Sequence, residues 1–100
     1  MSFDRENREV LSLVQALIGA VSPNFRRVSL ELIGTKGTRI RFLLESDDAR
    51  DREEIDDIVA EFGALAWGHG HGELYVDTTC DARPLRELHF PGRVVYGRKE

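Results

Sequence analysis

Two alternating segments around one short turn constrain this chain more than any other feature. From Phe25 to Ile33 the apolar residues Val28, Leu30 and Leu32 alternate with Arg27, Ser29 and Glu31. From Thr38 to Glu45, Ile40, Phe42 and Leu44 alternate with Arg39, Arg41 and Glu45. A period of two puts successive side chains on opposite faces of a strand. Gly34-Thr35-Lys36-Gly37 lies between them and offers two positions able to take positive φ. The pattern predicts an antiparallel β-hairpin whose apolar face has to be covered.

Two segments have the period to cover it. Between Asp4 and Val21, the residues Val10, Val14, Leu17, Ile18 and Val21 form one helical stripe, widened by Leu11 and Leu13. Asp4 is the expected N-cap, and Ser22-Pro23-Asn24 stops the helix, since proline disfavours helical geometry in the residue before it. A second helix is expected from about Asp48 to Leu65, capped by Ser46 or Asp47. Its narrow seam is Ile55, Ile58, Val59, Phe62 and Leu65, and Gly63 weakens its last turn. Trp67 to Gly72 is glycine-rich and reads as a loop. Glu73 to Thr78 is a short strand with Leu74 and Val76 on one face, Tyr75 and Asp77 on the other. Thr79 to Gly92, with Pro84 and Pro91, is expected to be irregular, and Arg93 to Arg98 is a last strand.

The fold class that follows is α/β of the α+β type, one domain over residues 1–100. It is a two-layer sandwich in the order α-β-β-α-β-β, with a mostly antiparallel four-stranded sheet and both helices on one face. The opposite face, with Arg27, Arg39, Arg41, Tyr75 and Asp77, is expected to meet water.

Composition excludes several function classes. The net charge is −4, whereas a nucleic-acid binder carries a basic surplus; no direct nucleic-acid contact is expected. The apolar run from Val10 to Val21 is broken by Ser12, Gln15 and Gly19 and is too short for a bilayer, so no membrane partner is expected either. Cys80 is the only cysteine, which rules out an internal disulfide, and the cytoplasm is the expected compartment.

Candidate chemistry is sparse. His69-Gly-His71 could share a metal with Cys80 or His89, but no second ligand pair stands at structural-zinc spacing. No nucleophile motif surrounds Cys80, and the abundant carboxylates fall on an exposed helix where nothing raises a pKa. The expectation is no catalytic residue, no metal and no cofactor; the chain reads as a binding protein and not an enzyme.

Charge is polarised along the chain. From Glu45 to Glu61 there are nine acids and two bases, Arg50 and Arg52, a net of −7; the whole chain nets −4, which leaves +3 elsewhere. At 100° per residue Glu53, Asp57 and Glu61 lie opposite the apolar seam, flanked by Glu54 and Asp56. Such a face either keeps the protein soluble or docks on a basic partner. Trp67 follows directly, and tryptophan serves as an anchor where it is exposed at an interface.

Four stretches taken in order carry a resemblance. They are Leu17-Ile-Gly-Ala-Val-Ser-Pro-Asn-Phe-Arg26, the hairpin end Arg41-Phe-Leu-Leu-Glu45, the segment Asp51-Arg-Glu-Glu-Ile-Asp-Asp-Ile-Val-Ala-Glu-Phe62, and the terminal Arg93-Val-Val-Tyr-Gly-Arg-Lys-Glu100. Over nearly the whole chain this resembles the small α/β immunity proteins of bacterial polymorphic toxin and contact-dependent growth inhibition systems. The resemblance implies a protein that binds the C-terminal domain of a cognate toxin, often a nuclease, and blocks it. A nuclease holds phosphate in a basic cleft, which an acidic surface complements. On that reading the partner-binding residues are Asp51, Glu54, Asp57 and Glu61, with Trp67 as anchor. Two other readings stay open: a small metal-binding protein or metal-dependent enzyme using the His69/His71 loop, and a module that self-associates through an open sheet edge.

Overall fold

The hairpin forms where the alternation places it. In the computed structural model, which describes residues 2–67 and 72–100, β1 (Phe25–Ile33) pairs antiparallel with β2 (Gly37–Leu44), with Leu30 opposite Ile40 and Val28 opposite Phe42. Gly34 takes φ 61° in the connecting turn. Helix α1 (Ser2–Leu17) precedes the hairpin. Helix α2 (Ala49–Trp67), β3 (Glu73–Cys80), a single 3-10 turn (Leu85–Glu87) and β4 (Arg93–Gly97) follow it.

The sheet order is β3-β2-β1-β4. The β1–β2 and β1–β4 junctions are antiparallel and the β2–β3 junction is parallel. The parallel junction has a direct cause: α2 carries the chain back along the sheet between β2 and β3, and a strand–helix–strand unit returns its second strand in the direction of the first. Val28, Leu30, Ile40, Phe42 and Leu44 meet Leu13 and Leu17 of α1 and Ile55, Ile58 and Phe62 of α2 in one core. Both helices therefore cover one sheet face.

Helix ends differ from the sequence expectation for local reasons. Helix α1 stops at Leu17, four residues before Val21, because Gly19 adopts φ 76°, a left-handed conformation that closes a helix and that glycine takes without a Cβ clash. Asp4 lies inside α1 and not before it. The cap of α2 is Asp48: its Oδ1 accepts from Arg50 N at 2.8 Å and Asp51 N at 3.2 Å, ahead of the alternatives Ser46 and Asp47. Helix α2 runs on to Trp67, two residues past the expected end at Leu65.

The outer sheet face meets water at Tyr75 and Asp77, as expected, but part of it is covered. Strands β3 and β4 stand at opposite edges, so residues 81–92 must cross the sheet, and the helices already occupy the other side. The crossing buries Ser29 and Leu43. It is fastened by Ser29 Oγ donating to Pro91 O at 2.9 Å, and by Arg26 donating to the carbonyls of Asp81 and Arg83 at 2.8 and 2.7 Å. Arg39, Arg41 and Asp77 stay partly exposed beside it and pair with one another.

Candidate partner-binding site

Helix α2 divides its acids between the interior and the surface. Asp51 turns inward. The residue is 6% exposed, and its carboxylate accepts from Asn24 Nδ2 at 2.8 Å. The same Asn24 side chain donates to Ser46 O and accepts from Ser46 N, so it ties the start of β1 to the loop entering α2. Asp51 is thus a tie between elements, and its carboxylate is not presented to a partner. Asp51→Ala is expected to cost about 1.5–3 kcal/mol, the range for a hydrogen bond to a charged group. A thermal melt that matches the wild type would contradict that role.

Glu54, Asp57 and Glu61 are exposed. Their spacing of three and four residues sets them on one ridge, which Leu65 extends by another four. Glu53 and Asp56 flank the ridge and are exposed as well. Among the described residues none of these five carboxylates lies within ion-pair distance of a cationic side chain. Most acids elsewhere are differently placed: Glu6, Glu9, Glu31, Glu45, Asp77, Asp81 and Glu100 each face an arginine.

Trp67 ends the helix half-buried, edge-on to Phe62 with ring centroids 5.6 Å apart. Gly72 lies against the indole so closely that a Cβ there would overlap it. The ring is packed into the fold and is not held out as a free anchor.

Two apolar residues assigned to the core by periodicity lie on the surface instead. Leu11 is 68% exposed and Leu65 40%. They line one shallow groove between α1 and α2, together with Asp4, Arg8 and Gln15. Leu65 therefore sets an apolar contact at the end of the acidic ridge. Val14 and Ile18, also placed in the α1 stripe, are exposed beside Val95 and Tyr96 of β4. The stripe is wider than the surface that α2 and the sheet offer to α1, and the surplus faces out.

A model of the MafI2 immunity protein family matches residues 6–100. The chain belongs to that family. It is therefore an immunity protein of a polymorphic toxin system, with a cognate toxin as its partner. No curated protein matches it.

The MafI2 match spans α1 from its second turn, α2 and all four strands, so it bears on the scaffold as a whole and singles out no residue. His69 and His71 lie outside the described residues. Among the described residues no group of three His, Cys, Asp or Glu side chains is close enough to hold a metal ion. Cys80 is exposed at the end of β3, with the Arg52 guanidinium 3.7 Å from its sulfur. No described helix is long and apolar enough to cross a membrane.

Proposed function

We propose that this MafI2 immunity protein neutralises the C-terminal domain of its cognate toxin, a nuclease delivered by cell contact, inside the cytoplasm of the protected cell. It works by occupancy and not by turnover: the α2 ridge of Glu54, Asp57 and Glu61 lies against the basic surface with which the toxin holds phosphate. The observation that carries this reading is the set of exposed carboxylates on α2 without a cationic neighbour among the described residues, on a chain whose other acids mostly have one. Holding like charges together without a counterpart costs free energy in the monomer, and a cationic partner recovers it. Leu11 and Leu65 supply apolar contact at the end of the ridge, and protein interfaces combine such contact with charged and polar groups.

Co-expression with the toxin domain encoded beside it tests the reading directly. The expected result is growth rescue together with co-purification of a one-to-one complex. Rescue without a complex would mean that the protein protects by some route other than binding, and the proposal would fail.

A further inference from the structure

Strand β3 is the outermost strand beside α2, and its backbone polar groups divide by parity. Glu73 N donates to Lys36 O at 3.0 Å and Asp81 N to Leu44 O at 2.9 Å. In an evenly spaced parallel ladder the odd-numbered residues between them likewise turn their N–H and C=O groups toward β2. Leu74, Val76, Thr78 and Cys80 present theirs to the outer edge, where no strand pairs with them among the described residues. Such an edge is a template for pairing, and chains commonly blunt it with proline, lysine or brevity. Strand β3 has eight residues and neither proline nor lysine, whereas β4 at the other edge has five.

The edge is flanked by a cleft on each face. On the helix side Arg52, Ile55 and Asp56 meet Val76 and Thr78 around a cleft of about 400 Å³. On the outer side Asp77, Thr79, His89 and Phe90 border one of about 640 Å³. A strand laid along β3 would send alternate side chains into the two clefts, which is how sheet-edge recognition combines backbone affinity with side-chain specificity.

We propose that β3 receives an extended segment of the cognate toxin as a fifth strand, with a lysine or arginine of that segment against Asp56. The proposal rests on the reading above that the toxin is bound directly. Charge decides between the toxin and a second copy of this chain. Two copies pairing through β3 about a two-fold axis would bring their acidic α2 helices, and two Asp56 carboxylates, to one seam, and like charges oppose such a contact. A basic segment meets the same carboxylate favourably, and the cleft adjoins the helix already assigned to toxin contact.

The test uses the full-length protein with the catalytically inactivated toxin domain encoded beside it. Amide hydrogen exchange should show Val76 and Thr78 slowed by about 100-fold or more in the complex relative to the free protein. Thr78→Pro removes an N–H that points to the outer edge and leaves the β2–β3 ladder intact. It should weaken toxin binding by at least about tenfold, the worth of one lost hydrogen bond and more. If wild type binds the toxin and the Val76 and Thr78 amides exchange as fast as in the free protein, the edge proposal falls and the α2 reading stands. If a folded Thr78→Pro binds as tightly as wild type, the same follows. Slow exchange at these amides in the free protein, with a dimeric mass in sedimentation, would give the edge to a second copy. If wild type forms no complex, both proposals fall together.

Discussion

Replacing Asp57 and Glu61 together by lysine is expected to weaken toxin binding by at least about 100-fold while leaving the fold intact. Close charge pairs across nuclease–inhibitor interfaces couple by about 1.5–7 kcal/mol each, so two reversed charges remove several kcal/mol of attraction and add repulsion. Both side chains are exposed and without a cationic neighbour among the described residues, so their loss breaks no internal contact there. Circular dichroism should therefore match the wild type. The kinetic signature is separable from the equilibrium one. Steering between opposite charges raises the association rate and is screened beyond about 8 Å at physiological ionic strength. The wild-type association rate should fall steeply between low and physiological salt, and the reversed protein should show a flat salt dependence. Surface plasmon resonance at several salt concentrations measures both. A folded, reversed protein that binds with wild-type affinity would reduce the α2 ridge to a solubility face, and the interface would have to be sought elsewhere. Asp51→Lys is the informative contrast: it should unfold or destabilise the protein, because that carboxylate is buried against Asn24.

The difference between Asp51 and Asp57 marks how far sequence patterns reach in this molecule. Both are acids on one helix, and composition treats them alike. Their fates are set by where Asn24 sits, and only the β1–β2 register and the Ser22–Asn24 turn bring that residue over the first turn of α2. Alternation and helical period are enough to find both helices, all four strands and the core residues Val28, Leu30, Ile40 and Phe42, since each of those follows from which residues must leave water. The same logic overreached at Leu11, Val14, Ile18 and Leu65. Periodicity marks a residue as apolar-facing and cannot say whether the opposing element is long or wide enough to reach it. The outer sheet face meets water at Tyr75 and Asp77, as its polar residues suggest, and is covered over Ser29 and Leu43 for a topological reason. Placing β3 and β4 at opposite edges forces residues 81–92 across part of it, and Arg26 fastens the start of that crossing.

Arg26→Ala is accordingly expected to be among the most damaging single substitutions in the chain. Arg26 is 2% exposed. Its guanidinium donates to Asp81 O and Arg83 O, and through Nε and Nη2 to the two carboxylate oxygens of Glu100 at 2.8 and 2.5 Å. One side chain thus fastens both ends of the β3–β4 region: the start of the crossing and the segment after β4, where Arg98 N also donates to Arg26 O. Deleting it leaves the two carbonyls without their donor and releases Glu100. A hydrogen bond from a charged group is worth about 1.5–3 kcal/mol, and Glu100 is exposed and can rehydrate, so about 3 kcal/mol is expected from the two carbonyls. In a domain this size that is a fall in Tm on the order of 12 °C or more. Arg26→Lys should recover little, since an ammonium cannot reproduce the planar fork that meets carboxylate and carbonyls together. The pH dependence identifies the contact. The hydrogen bond from Arg26 holds the Glu100 carboxyl below its ordinary value, and Arg83 holds Asp81 at about 2. A carboxylate depressed in the folded state contributes stability that is complete above its unfolded pKa and is lost as pH falls through the folded one. Wild-type stability should therefore hold from neutral pH to the ordinary carboxylate range and decline as pH drops toward about 2. In Arg26→Ala the share of that decline belonging to Glu100 should vanish, so the two melting curves converge as the solution is acidified. A constant gap between them from pH 7 to pH 2 would place the damage in lost packing and remove Glu100 from the explanation.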